Sequence, residues 1–189
     1  MHKRFSWRGA FAATAPLAVL PVAAVIAADY VSVDAAQRAA FAQAERFTPV
    51  ALQLSAQQRQ AVDALAGPQP RRGNLQVWRA EAAGKALGYF FVDEVLGRQD
   101  LITYAVGIDA DGVLGTLEVL SYRESHGGEI RNRRWREQFA QRRALSELRF
   151  RTDIKNIAGA TLSSEHVTQG VRWLMALWQT ALRPADAAT

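Results

Sequence analysis

The hydrophobic positions change period along the chain, and each change marks a different element. Residues 10–28 carry no charge, are rich in Ala, Val, Leu and Ile, and follow Lys3, Arg4 and Arg8. A basic stretch before an apolar core is the pattern of a signal peptide or an N-terminal membrane anchor. About 20 apolar residues suffice to span a bilayer, although Pro16 and Pro21 weaken this run as a permanent span. The sequence therefore predicts export, with Asp29 onward outside the cytoplasm. Residues 34–47 then place Ala36, Ala40, Ala44 and Phe47 at helical spacing among polar neighbours, which predicts an amphipathic helix. A second helix is expected after Ser55, a candidate N-cap, carrying Ala61, Val62 and Leu65 until Gly67-Pro68 stops it.

From residue 75 the period falls toward two. The runs 75–80, 86–95, 101–109 and 113–122 have strand length and are enriched in Val, Ile, Tyr, Phe and Trp. Asp111-Gly112 supplies the positive φ of a tight hairpin, so the last two strands should be neighbours and antiparallel. Residues 131–151 are dense in arginine, with Trp135 and Phe139 four apart, and read as a short basic helix. Val167, Val171, Leu174, Trp178 and Ala181 give a C-terminal amphipathic helix whose start is expected near Ser163 or Ser164. The fold class that follows is α+β: a mostly antiparallel twisted sheet with packed helices.

Composition narrows the chemistry. The 189 residues contain no cysteine, which excludes disulfides, thiolate metal sites, iron–sulfur clusters and thioether-linked haem. The formal charge of +5 points to anionic partners. In an exported domain those are membrane surfaces or phosphate groups before nucleic acid, and no nucleic-acid partner is expected. His126, in the Gly-rich stretch 124–128, fits either a proton relay or a structural hydrogen bond. With no second histidine beside it, metal binding is not expected.

The segment 154–164, Ile-Lys-Asn-Ile-Ala-Gly-Ala-Thr-Leu-Ser-Ser, carries the site. A hydroxyl residue, Thr161, preceded by Gly159 and Ala160 before a helix suits a phosphate group. The first-turn N–H groups lack partners, the helix dipole favours an anion, and small residues admit a ligand to the backbone. The same string also fits an ordinary capped helix, with Ser163 or Ser164 as the cap.

At this point the chain resembles the FMN-binding domain family, which includes the small flavoprotein subunits of Rnf-type and sodium-translocating NADH:quinone reductase complexes. The matching residues are Gly159, Ala160, Thr161 and Ser163, against a motif close to Ser/Thr-Gly-Ala-Thr/Ser-x-Thr/Ser. Ordered upstream matches run through 104–108, Asp111-Gly112, 117–120, 124–130 and Trp135 to Phe139. The chain departs from the pattern at Ala158, where a hydroxyl residue is usual, and at Lys155-Asn156, where an acidic residue is usual. The resemblance implies FMN as cofactor, joined by a phosphoester to Thr161 by an FAD- and Mg-dependent flavin transferase. It implies a site at the N-terminus of the C-terminal helix, formed by Thr161, Gly159, Ala160, Leu162, Ser163, Glu124, His126 and Gly127. Arginines of 131–151 are candidates to stabilise reduced flavin, which is often anionic; a solvated helix face or a membrane-surface patch fits them equally.

The resulting organisation is a signal peptide or anchor over 1–28, a helical N-terminal segment over 29–73, an FMN-binding domain over 74–183 and a frayed tail over 184–189. The expected function is electron transfer between membrane and periplasmic redox partners, from a periplasmic or inner-membrane-anchored position. A small flavin-dependent oxidoreductase and a non-redox binding or sensory domain are the alternatives. No nicotinamide-type glycine fingerprint and no second domain favour an enzyme, so a carrier leads.

Overall fold

The computed structural model describes residues 31–67, 69, 72–124 and 128–183. The N-terminal run, His126 with Gly127, and the tail 184–189 lie outside the described residues. Helix α1, Val33–Ala40, starts at Ser32, whose hydroxyl accepts from Ala35 N at 3.2 Å. Asp34 in its first turn and Arg38 in its last both suit the helix dipole. Helix α2, Ala56–Ala66, starts at the expected Ser55 through a reciprocal capping box with Gln58, at 3.2 and 3.0 Å.

Among the described residues, five strands form one antiparallel meander in chain order: β1 (Arg46–Pro49), β2 (Arg72–Ala82), β3 (Lys85–Leu96), β4 (Leu101–Asp109) and β5 (Leu114–Ser121). The expected hairpin joins β4 to β5. Asp109 Oδ1 accepts from Asp111 N at 3.0 Å and Val113 N at 2.8 Å, closing the turn.

The strand alternation sorts side chains onto two faces. Phe91, Val95, Ile102, Tyr104, Val106, Ile108 and Leu117 pack with Val62 of α2 and with Val167, Val171 and Leu174 of the last helix, α4 (Thr161–Leu177). Phe90, Val92, Ala105 and Leu120 turn to the other face and pack with Ala36 and Phe41 at α1. Each large apolar side chain of this kind stabilises the fold by about 1.5–3 kcal/mol on burial, so docking on α4 outweighs any local preference of the helix.

A polar cluster fixes the middle of α4. Asp93 of β3 is wholly buried; it accepts from Arg72 at 2.6 Å and from Tyr104 Oη at 2.5 Å. Burial pushes the Asp93 carboxyl up, with Arg72 and the Tyr104 hydroxyl pulling against it. The Arg72 guanidinium lies 3.8 Å from the ring centre of Trp173 on α4. Gly170 faces the same cluster, where a Cβ would stand 2.3 Å from Tyr104 Oη.

Two expected elements differ from the structure. The helix anticipated over 34–47 ends at Ala40, and Phe47 belongs instead to edge strand β1, so the segment 29–73 is not wholly helical. Arg46 Nε and Thr48 Oγ1 both reach Glu81 of β2, at 3.1 and 2.7 Å, and Phe47 meets Phe90 edge-on at 6.2 Å. These cross-strand contacts override the helical spacing. The basic helix anticipated over 131–151 is reduced to α3 (Arg133–Arg136) and single turns at Gly128–Arg131, Glu137–Phe139 and Leu145–Glu147. Trp135 and Phe139 do pack together, with ring centres 5.1 Å apart, but local ion pairs hold several of the arginines: Arg133 to Glu137, Arg136 to Glu118 and Arg149 to Asp153.

Candidate functional site

Helix α4 begins at Thr161, two to three residues before the serines expected to cap it. Ser163 and Ser164 lie inside its first turn and are buried. Ser164 Oγ bonds back to Ala160 O at 2.9 Å and Thr161 O at 3.0 Å, and reaches Asn156 Oδ1 at 3.2 Å. The Ser163 hydroxyl meets Tyr122 Oη at 3.4 Å; burial pushes the Tyr122 phenol up, so this partner stays neutral. The N-cap position falls to Ala160, which has no side-chain acceptor to offer. The first-turn N–H groups therefore lack a capping acceptor. Gly159 precedes it at φ +80°, with open space where a Cβ would point; only glycine takes that conformation without strain.

Of the three hydroxyls at this helix start, Thr161 alone is uncommitted. It is half-buried and makes no side-chain bond among the described residues. It opens into a cleft of about 570 Å³ lined by Gly159, Ala160, Thr161, Leu162 and Ser163 on one side and by Arg98, Gln99 and Glu124 on the other. Leu162 is 45% exposed, an apolar group left at the cleft wall. Cofactor pockets commonly fall between ≈ 300 and 1,000 Å³, so the space suits a nucleotide-sized group.

The opposite wall is the turn between β3 and β4, and two contacts hold it. Glu124 Oε1 accepts from the backbone N–H groups of Arg98, of Gln99 at 3.0 Å and of Asp100 at 3.4 Å, a small anion nest filled by the protein's own carboxylate. Gly97 makes room for that carboxylate, since a Cβ there would stand 2.2 Å from Glu124 Oε1. His166 Nδ1 meets Leu96 O, tying the second turn of α4 to the end of β3. The loop leading into α4 is clamped as well: Trp135 Nε1 donates to Lys155 O at 2.8 Å, and Gln138 Oε1 accepts from Lys155 N at 2.9 Å.

Six of the residues singled out in the sequence, Glu124, Gly159, Ala160, Thr161, Leu162 and Ser163, thus share one cleft; His126 and Gly127 lie outside the described residues. Arg98 and Gln99 were not foreseen. The sequence marks their position only by Gly97, a turn residue between the runs 86–95 and 101–109, which says nothing of what the turn faces. No arginine of 131–151 lines this cleft. Arg134 and Lys155 border a separate cleft of about 460 Å³ that Ile157 also lines. A larger cleft, about 640 Å³, opens beside β5, but there Arg136 and Glu118 already neutralise each other. Among the described residues no group of three or more His, Asp or Glu could hold a metal ion, and no helix is long and apolar enough to cross a membrane.

Fold and site together define a small α+β domain with a cleft at the start of α4, where the first-turn N–H groups have no side-chain cap. Residues 97–175 match the family model of the FMN-binding domain. Over that stretch the chain carries an FMN-binding domain, as the sequence resemblance implied, and FMN is its cofactor. The matched stretch spans both walls of the cleft, from the Gly97 turn to α4. No curated protein matches the chain.

Proposed function

We propose that this protein is an exported electron carrier in which FMN is joined by a phosphoester to Thr161. The observation that carries the reading is the chemical state of the cleft. Thr161 offers the one uncommitted hydroxyl of the helix start, beside first-turn N–H groups that favour a phosphate. FMN supplies one- and two-electron chemistry when bound, while the protein supplies position and field. In the attachment step the threonyl oxygen displaces AMP from FAD, and its proton passes to a base of the transferase.

The chain's own groups then have distinct tasks. Gly159 and Ala160 keep side chains away from the phosphate. Ser163 and Ser164, committed to Tyr122 and to the backbone, leave Thr161 without a rival. A phosphoester suits an exported domain because it prevents loss of the cofactor where free flavin is dilute. The basic stretch before the run 10–28 supports a periplasmic or membrane-anchored position. Donor and acceptor are then redox partners at or near the membrane.

The test is the intact mass of the protein co-expressed with a flavin transferase and exported, set against Thr161→Ala. An added mass of one FMN less one water on the parent, and none on the variant, is the expected result. A parent that binds FMN only reversibly would overturn the covalent link. The same modification on Thr161→Ala would move it to another residue.

A further inference from the structure

The proposal made here rests on FMN occupying the Thr161 cleft. We infer that Arg98, on the β3–β4 turn held by Glu124, is the cation that stabilises the reduced cofactor and sets its potential.

Four observations lead there. Arg98 lines the same cleft as Thr161 and the start of α4. Its side chain is exposed and has no hydrogen bond or ion pair among the described residues, unlike Arg133, Arg136 and Arg149, which are paired. Its backbone is fixed rather than free, because Glu124 accepts from the N–H groups of 98, 99 and 100 while His166 ties Leu96 to α4. Finally, the Glu124 carboxylate, the acidic group that lines the cleft, is engaged by those backbone N–H groups, and no ion pair joins it to the guanidinium.

Charge balance gives the arrangement its consequence. Two electrons and one proton added to an isoalloxazine leave it with one more negative charge than before. A guanidinium carried on a held backbone turn at the cleft favours that added charge and so raises the potential. Arginine keeps its charge at every working pH, so the effect does not titrate away. The first-turn N–H groups of α4 serve the phosphate; Arg98, on the facing wall, serves the ring.

The experiment is a potentiometric titration of the FMN-loaded protein with dithionite, which supplies both electrons as it is oxidised to sulfite, while water supplies the proton. The parent is compared with Arg98→Gln, Arg98→Lys and Arg143→Gln at equal flavin content. Arg143 is an exposed arginine that lines no part of the cleft. A more negative potential in Arg98→Gln, restored most of the way by Arg98→Lys and unmoved in Arg143→Gln, is expected. Equal potentials for the parent and a fully loaded Arg98→Gln would overturn the role of Arg98 while leaving the cofactor site standing. An equal shift in Arg143→Gln would overturn it too, since the effect would then be one of net charge. A parent that takes up no FMN, covalently or reversibly, would instead overturn the reading of the cleft, and Arg98's role with it.

Discussion

Gly97→Ala tests whether the cleft wall depends on the Glu124 carboxylate. The added methyl would stand 2.2 Å from Glu124 Oε1 and 3.0 Å from Ile102 Cδ1. The carboxylate is the end of a flexible side chain and swings out at small steric cost, so the loss is that of its hydrogen bonds. Those bonds run from three backbone N–H groups to one charged oxygen, one of them long at 3.4 Å. Bonds to charged groups are worth up to ≈ 1.5–3 kcal/mol each, but water can replace an acceptor on an exposed turn, so a total of about 1–2 kcal/mol is expected. Glu124→Ala removes the same acceptor without the methyl and should cost a similar amount. The assay is urea unfolding followed by tryptophan fluorescence for the two single variants and the double. Because both substitutions break the same contact, the double variant should lose little more than either alone. Strict additivity of the two losses would refute the account, as would a Gly97→Ala variant as stable as the parent. A turn freed in this way should also load less FMN, which the intact mass reads separately.

Two further outcomes follow from the helix above the sheet and the loop before it. Gly170→Ala gains about 1 kcal/mol of helix propensity but drives a methyl to 2.3 Å from Tyr104 Oη and 3.0 Å from Val95 Cγ1. Overpacking, together with a disturbed Tyr104–Asp93 bond, should leave it less stable by about 1–3 kcal/mol, and a Tm at or above the parent's would count against that packing. The Arg149 bonds hold the Asp153 carboxyl down at about 2; a depressed carboxylate contributes stability above its unfolded value, and that contribution is lost as pH falls through the folded value. The Asp153 side-chain carboxyl resonance should therefore titrate near pH 2 in the parent and higher in Arg149→Gln, which keeps only the backbone N–H bond from residue 149, and an ordinary titration in the parent would refute the pairing.

Much of this architecture was legible in the sequence because it is local. The Ser55-x-x-Gln58 box, the Asp-Gly hairpin and the Val167, Val171 and Leu174 stripe of α4 each contain their own physical cause. The Gly-Ala-Thr string likewise carries its small residues and its hydroxyl together. The errors fall where long-range contacts decide. Strand β1 exists because Glu81, far along the chain, takes Arg46 and Thr48. The α4 start moved to Thr161 because Ser163 and Ser164 are drawn inward by Tyr122 and by carbonyls of the preceding turn. Arg98 was invisible for the same reason. Its importance lies in what the sheet end meets, and no periodicity encodes that meeting.

The two walls of the cleft also differ in when they come into being. The β2–β5 meander is made of neighbouring hairpins, the kind of local pairing that forms early, whereas α4 must return from far along the chain to lie across it. Before that return Thr161 is one more side chain on an unfolded segment, and the Gly97 turn faces nothing. The cleft is thus a property of the finished chain. A flavin held there gives a coloured signature of folding completed through its last helix, and a variant that misplaces α4 should announce itself as a colourless protein.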